Sequence, residues 1–380
     1  MQQKYLLKLL GFLTVFALIV TIIACNSSDE ADQYEPVSPV VMDLTQVPYP
    51  KLSDYKFFEG DLKNLTPALG VLPYKPASSL FSDYAHKKRF VWMPKGTKAT
   101  YNGDDKVLEL PVGAAIIKNF YYDNVQPGNT VKIVETRLMI RKATGWIFAN
   151  YVWNDEQTEA FFDLAGSYQD ISWIENGETK NVTYRIPSDV QCITCHKTKQ
   201  TINDVEETIY IPIGIKPQNL NFNYNYGAAE VKNQLTKWIE AGYLENNFTL
   251  PTEANSTVDY EDTSKPLDLR ARSYVDINCA HCHTDNKHCD YRPMRFAFSQ
   301  TGGTNGNTNM GVCVNTEDMQ GFPSNLAKIV TPANTFKSML YYRINTTEEA
   351  IRMPLHGRTL IHTEGVALME QWINSLGPCQ

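Results

Sequence analysis

Cys192-Ile193-Thr194-Cys195-His196 repeats its pattern at Cys279-Ala280-His281-Cys282-His283. Cys-x-x-Cys-His is the attachment signature of c-type haem, in which both thiols bond to the porphyrin and the adjacent histidine binds the iron. The sequence therefore predicts two covalently attached haem c groups, with His196 and His283 as the proximal iron ligands. Redox chemistry is the expected consequence, and the C-terminal half is predicted to be a dihaem region.

Two other interpretations of the cysteine pairs are weaker. A thioredoxin-like redox pair requires a βαβ context, and neither motif has one. A zinc ribbon favours pairs separated by roughly 15 to 20 residues, whereas these pairs are much farther apart. Neither interpretation explains why a histidine directly follows both pairs.

The N-terminus predicts export. Lys4 and Lys8 form a basic segment ahead of the apolar stretch Leu9–Ile23, which is short for a membrane span. Ile22-Ile23-Ala24-Cys25 is similar to the lipobox of bacterial lipoproteins, which predicts a signal peptide over residues 1–24 and a lipid on Cys25. An uncleaved membrane anchor is the alternative. Asn26 after the cysteine favours localisation to the outer membrane.

Charge and composition exclude one class of partner and suggest another. The chain has 35 basic and 42 acidic residues, for a formal net charge of −7. Because an acidic protein lacks the basic surface that nucleic acid requires, nucleic-acid binding is not expected. Redox proteins with basic patches fit better as partners. Residues 25–48 are polar and contain several prolines, which predicts a flexible lipidated tether.

Residues 49–188 have the composition of β-structure. Runs of β-branched and aromatic residues alternate with Gly- and Pro-containing turns, which predicts an antiparallel, sandwich-like domain. Within 131–141, Val134, Thr136, Leu138 and Ile140 alternate with other residues, as in a half-buried strand. No nucleophile motif or phosphate loop is present in this part of the sequence.

The C-terminal half is predicted to be mostly α-helical. A first haem segment covers 189–250, with one helix over 226–244, and a cytochrome c-like domain with the second haem covers 266–380. In that domain an apolar stripe leads into Cys279, and the amphipathic stretch 366–376 predicts a final helix before Gly377-Pro378. The predicted fold class is therefore α+β, a β-rich domain followed by a helical dihaem region.

Several longer stretches are more specific than the haem motifs. They are Leu80–Ala85, Arg89–Pro94, Tyr151–Thr158, Arg270–Tyr274 leading into the second motif, Arg352–Pro354 and Gly365–Leu368. On these stretches the chain resembles a family of bacterial envelope dihaem c-type cytochromes, from about residue 50 to the end. The resemblance implies two haems and an electron-transfer role, and it names no substrate.

The layout of cytochrome c domains implies Met353 as the distal ligand of the second haem, because it precedes a proline shortly before the last helix. His356 is the alternative. The first haem has no obvious distal ligand, since no Met or His occurs between Lys197 and Ala280. His86, Met93 and Met294 are the candidates, and the other prediction is an iron with an open position.

Three cysteines remain after the haem motifs and Cys25. Cys289 and Cys313 flank the same polar loop, which favours a disulfide between them and leaves Cys379 unpaired.

Three functions follow from these patterns. The first is an anchored electron carrier between envelope redox proteins. The second is a peroxidase-like oxidoreductase with an open first haem, so the sequence leaves enzymatic activity undecided. The third is an extracellular ligand-binding β domain with accessory haem.

Overall fold

The structure, a computed structural model, describes residues 36–379. The predicted signal peptide and the lipidation site Cys25 lie outside the described residues. From Pro39 onward the chain forms one compact unit. Val47 is buried, and Val40 packs against the same core, so the packed part of the chain begins before Tyr49. None of the described helices is both long and apolar enough to cross a lipid bilayer.

The largest element is a single antiparallel sheet of eight strands. These strands are β3 (Leu72–Tyr74), β4 (His86–Trp92), β5 (Ala115–Val125), β6 (Thr130–Lys142), β7 (Gly145–Trp153), β8 (Ala160–Phe162), β9 (Ser167–Glu175) and β10 (Glu178–Ile186). Three further strand pairs are two-stranded: β1 (Phe58–Glu59) with β2 (Thr66–Pro67), β11 (Lys197–Ile202) with β12 (Val205–Tyr210), and β13 (Asn223–Asn225) with β14 (Val231–Asn233).

Both faces of the sheet are covered, so the predicted two-sheet sandwich is wrong. On one face, Ile117 and Leu138 pack in a core with the N-terminal residues 47–71. On the other face, Ile116 and Met139 pack against a segment that contains the fully buried Trp238. Each such large apolar side chain stabilises the fold by about 1.5–3 kcal/mol when it is withdrawn from water.

Strand β6 shows the consequence of this two-sided packing. The predicted half-buried alternation is wrong, because Glu135 and Met139 are buried on one face while Leu138 and Ile140 are buried on the other. Glu135 is fully buried because it accepts hydrogen bonds from the Arg137 guanidinium and from the Tyr184 hydroxyl. A buried carboxylate requires such partners.

The predicted mostly α-helical dihaem region is also wrong. Among the described residues the helices are few and short, and strands dominate the regular structure. The helices are α1 (Asp189–His196), α2 (Pro217–Leu220), α3 (Gln234–Glu240), α4 (Leu267–Asn278), α5 (Gly306–Asn309), α6 (Met339–Ile344) and α7 (Thr363–Ser375). Long irregular segments, rich in Gly, Asn, Thr and Pro, connect them.

The helix predicted over 226–244 is replaced by a hairpin and a shorter helix. Residues 223–225 pair with 231–233 as β13 and β14. The Asn233 side chain then accepts hydrogen bonds from the backbone N–H groups of Leu235 and Thr236, which starts α3. An asparagine in this position is a favoured helix N-cap. The apolar residues Leu235 and Trp238 are buried as the helical spacing predicts.

The C-terminal unit packs α4 against α7. Ala271 and Val275 from α4 share a core with Met369, Trp372 and Ile373 from α7. The Trp372 indole N–H donates to Asp268 at 3.2 Å. The final helix was therefore predicted correctly in type and position.

The disulfide in this unit joins Cys313 to Cys379, 66 positions apart, and the predicted Cys289–Cys313 pair does not form. Cys289 is a buried free thiol. Sequence proximity favoured Cys289, but the chain end returns to Cys313 through the packing of α7.

Candidate paired-motif site

The first motif lies on α1. Ser188 and Gln191 form a reciprocal capping box at the start of this helix, which ends at His196. The His196 imidazole Nδ1–H donates to the carbonyl oxygen of Ile211 at 2.8 Å. Burial lowers the pKa of His196 to about 4, so the ring is neutral at physiological pH. With Nδ1 protonated, Nε2 carries the free lone pair that a metal requires.

The second motif follows α4 and does not lie on it, since the helix ends at Asn278. A single turn holds the motif together, in which the N–H groups of Cys282 and His283 donate to the carbonyl oxygen of Cys279 at 3.1 and 3.0 Å. Burial, together with nearby positive charges, lowers the pKa of His283 to about 4. The buried Nδ1 of His283 has no hydrogen-bond partner among the described residues.

The two motifs meet in space. The Cys282 thiol donates to the carbonyl oxygen of Thr194 at 3.8 Å, across 88 positions of sequence. Ligand atoms of Cys195, His281 and Cys282 all lie within 4.8 Å of one another. The proximity was not predicted, because it depends on how α1 and the end of α4 pack together.

A cavity lies beside each motif. The first cavity is lined by Cys192, Cys195 and His196, and the second by Cys279, Cys282 and His283. The lining of the second cavity is almost entirely apolar. Both cysteines and the histidine of each motif therefore face a cavity of their own.

Met353 lines the second cavity, as predicted for a distal ligand, and so does its alternative His356. The Met353 segment is held in place by Arg358, whose Nε–H donates to the Met353 carbonyl oxygen at 2.9 Å. His356 also lines the first cavity, and its buried Nδ1 has no partner among the described residues.

The candidates for the first distal ligand are not at the first cavity. His86 is exposed, 3.7 Å from the Asp123 carboxylate, and Met93 is buried in the core of the sheet. Met294 lines the second cavity. None of the three candidates lines the first cavity.

Three other histidines and methionines line the first cavity besides His196: Met139, His281 and His356. The sequence prediction did not include His281, because this residue lies inside the second motif and just beyond the interval 197–280. The sequence prediction did not include Met139, because a half-buried strand would place this side chain on the face exposed to solvent.

Comparisons with protein-family models, with curated proteins and with solved structures found no match for this chain.

Proposed function

We propose that this chain is an exported, lipid-anchored dihaem c-type cytochrome that transfers electrons between redox proteins of the bacterial envelope. The observation that carries the proposal is the meeting of the two Cys-x-x-Cys-His motifs, each beside its own cavity. Haem supplies one-electron redox chemistry at such sites.

The residues present fit a haem at each site. His196 and His283 are half-buried and neutral, and the hydrogen bond from His196 to Ile211 is the orienting contact that ligating histidines usually make. The second cavity is apolar, as a porphyrin face requires, and both cysteines of each motif line the cavity that belongs to it.

A shared wall supports electron transfer within the chain. Cys195, His281 and His356 line both cavities, so the two sites share part of their walls. Two redox groups held there would be neighbours, and an electron could pass between them without a diffusing carrier. One site would then exchange electrons with one partner, and the other site with a second partner.

The β-rich part has a role in this proposal. Strands β4 to β7 form a wall of the first cavity, and both sheet faces are occupied by the core. The sheet therefore has little free face for a glycan or another extracellular ligand, which favours the electron carrier over the ligand-binding alternative.

A three-ligand metal site is the second candidate. Cys195, His281 and Cys282 could bind zinc, since thiolate and imidazole are its preferred ligands. The neighbouring Cys282 side chain lowers the pKa of Cys195 well below its usual value, which favours a thiolate there. However, structural zinc sites have four protein ligands, and this interpretation assigns no role to Cys192, His196, Cys279 or His283.

The test of the proposal is the cofactor content of the full chain, exported in a host with haem-attachment machinery. We expect two haems per chain in the pyridine haemochrome assay and no zinc by elemental analysis. One zinc and no haem would instead support the three-ligand site. An unmodified N-terminus on the exported protein would contradict the lipid anchor on Cys25.

Replacing Met353 with Ala tests the distal ligand of the second haem. We expect the reduction potential of one haem to fall, because a thioether ligand favours the ferrous state and its loss removes that preference. The measurement is a spectroelectrochemical titration of the holoprotein. Met294→Ala, which alters the same cavity, is the matched control and should leave both potentials unchanged. A spectrum unchanged by Met353→Ala would assign the ligand to His356.

A further inference from the structure

A row of polar side chains crosses the wall of the first cavity. Arg89 on β4 lies directly opposite Lys118 on β5, Lys118 lies opposite Arg137 on β6, and Arg137 lies opposite Asn150 on β7. All four residues line the cavity that contains His196. Like charges placed directly opposite each other in a sheet are destabilising, so three adjacent cations need an explanation.

The row lacks the counter-charges that it needs. Arg89 is 7% exposed, and within residues 36–379 neither Arg89 nor Lys118 forms an ion pair with a carboxylate. Only Arg137 has such a partner, the buried Glu135. Burial and the neighbouring arginines lower the pKa of Lys118 well below its usual value. Arg89 and Lys118 therefore lie in the cavity wall without a carboxylate partner in the described part of the chain.

Asn150 provides an independent sign of a ligand. It is 3% exposed, and neither its amide nitrogen nor its amide oxygen has a partner among the described residues. Leaving a buried polar group unpaired costs about 1–3 kcal/mol, so such groups usually mark a missing partner. Asn150 lies opposite Arg137, so the unpaired amide is at the end of the row of basic residues.

The adjacent row on the same face is apolar. Ile116, Met139 and Phe148 are opposite one another and line the same cavity. Rows on one face are two residues apart along a strand, about 6.6 Å. The Phe148 ring lies 5.3 Å from the His196 ring. The cavity wall is therefore apolar beside His196 and cationic one row farther along.

We propose that the row Arg89–Lys118–Arg137–Asn150 binds anionic oxygens, namely the two propionate carboxylates of the haem attached at Cys192 and Cys195. Arg89 and Lys118 have no carboxylate partner among the described residues, and guanidinium groups bind carboxylates in a bidentate fashion. The amphipathic wall matches a group with an apolar face and an anionic edge. This inference rests on the proposed haem at the first motif.

Lys118→Met in the full holoprotein tests the row. Methionine keeps an unbranched side chain beside Phe120, over whose ring the Lys118 ammonium lies at 4.8 Å, and removes the charge. We expect the reduction potential of one haem to fall. The pH range over which that potential changes should move to higher pH, because a propionate that loses its cation has a higher pKa. The other potential should not change. Lys88→Met, on the opposite face of β4, is the matched control and should change neither.

The anionic oxygens at this row could instead come from a free oxyanion such as sulfate. Titrating the wild-type and Lys118→Met holoproteins with sodium sulfate distinguishes the two sources. A sulfate-induced Soret shift in the wild type that is lost in Lys118→Met, with unchanged potentials, would overturn the assignment to propionates. Unchanged potentials and no sulfate response, in a chain that carries two haems, would overturn the anion site itself. A wild-type chain with no haem would contradict the proposed function. The haem count detects that outcome independently of the potentials and the sulfate titration.

Discussion

Replacing Cys192 and Cys195 together with Ser should leave a chain with one covalent haem in place of two. Both thioether bonds of the first site are lost, while the second motif keeps its own cysteines and His283. The measurement is haem per chain by pyridine haemochrome, supported by the intact mass of the purified protein. The converse change, Cys279→Ser with Cys282→Ser, should likewise leave one haem.

Cys289→Ser is the matched control for both double variants. Cys289 lines the second cavity but belongs to neither motif, and it has no disulfide partner. The control should keep two haems. Two haems in either double variant would rule out that motif as an attachment site, and zinc lost from both double variants would favour the three-ligand alternative.

Asp83→Ala should destabilise the protein by roughly 3–5 kcal/mol, because it leaves several buried donors without an acceptor. Asp83 is 2% exposed. Its carboxylate accepts hydrogen bonds from the backbone N–H groups of Thr359 and Leu360 at 2.7 and 2.8 Å, and from the Thr359 hydroxyl at 2.9 Å. These contacts attach the segment after Met353 to the loop before β4.

Urea unfolding of the full chain measures this effect, and Asp83→Asn is the matched control. Asp83 has a positive φ of 48°, which asparagine tolerates better than most residues. The control keeps one acceptor oxygen and should cost less than the alanine. Because Met353 is close in sequence to this anchor, we also expect Asp83→Ala to alter the spectrum of the second haem. An alanine variant as stable as the wild type would show that the carboxylate contacts contribute little.

Local chemistry was predictable, and partners distant in sequence were not. The spacing of each motif places its thiols and histidine together within one turn, whatever surrounds them. The final helix was predicted because its apolar spacing is local too. The pairing of Cys313 with Cys379 depends instead on where the chain end packs.

The predicted fold class was wrong where tertiary contacts overrode local sequence patterns. Leu235 and Trp238 have helical spacing and lie on a helix. The residues before them form the hairpin of β13 and β14, so the helix is shorter than predicted. The strand β6 was predicted, but its second face was taken to be exposed. The segment that contains Trp238 packs on that face. Sequence periodicity cannot indicate packing by a segment so distant in sequence.

The sequence alone determined the spacing of the two motifs, the strands of the β-rich part and the final helix, because each depends on residues that are neighbours along the chain. Only the tertiary structure decided which side chains share a cavity. It brought Cys195 next to Cys282, placed His281 and His356 at both cavities, and aligned Arg89, Lys118 and Arg137 across three strands. These arrangements depend on strand register and on packing between distant segments, which one-dimensional patterns do not specify.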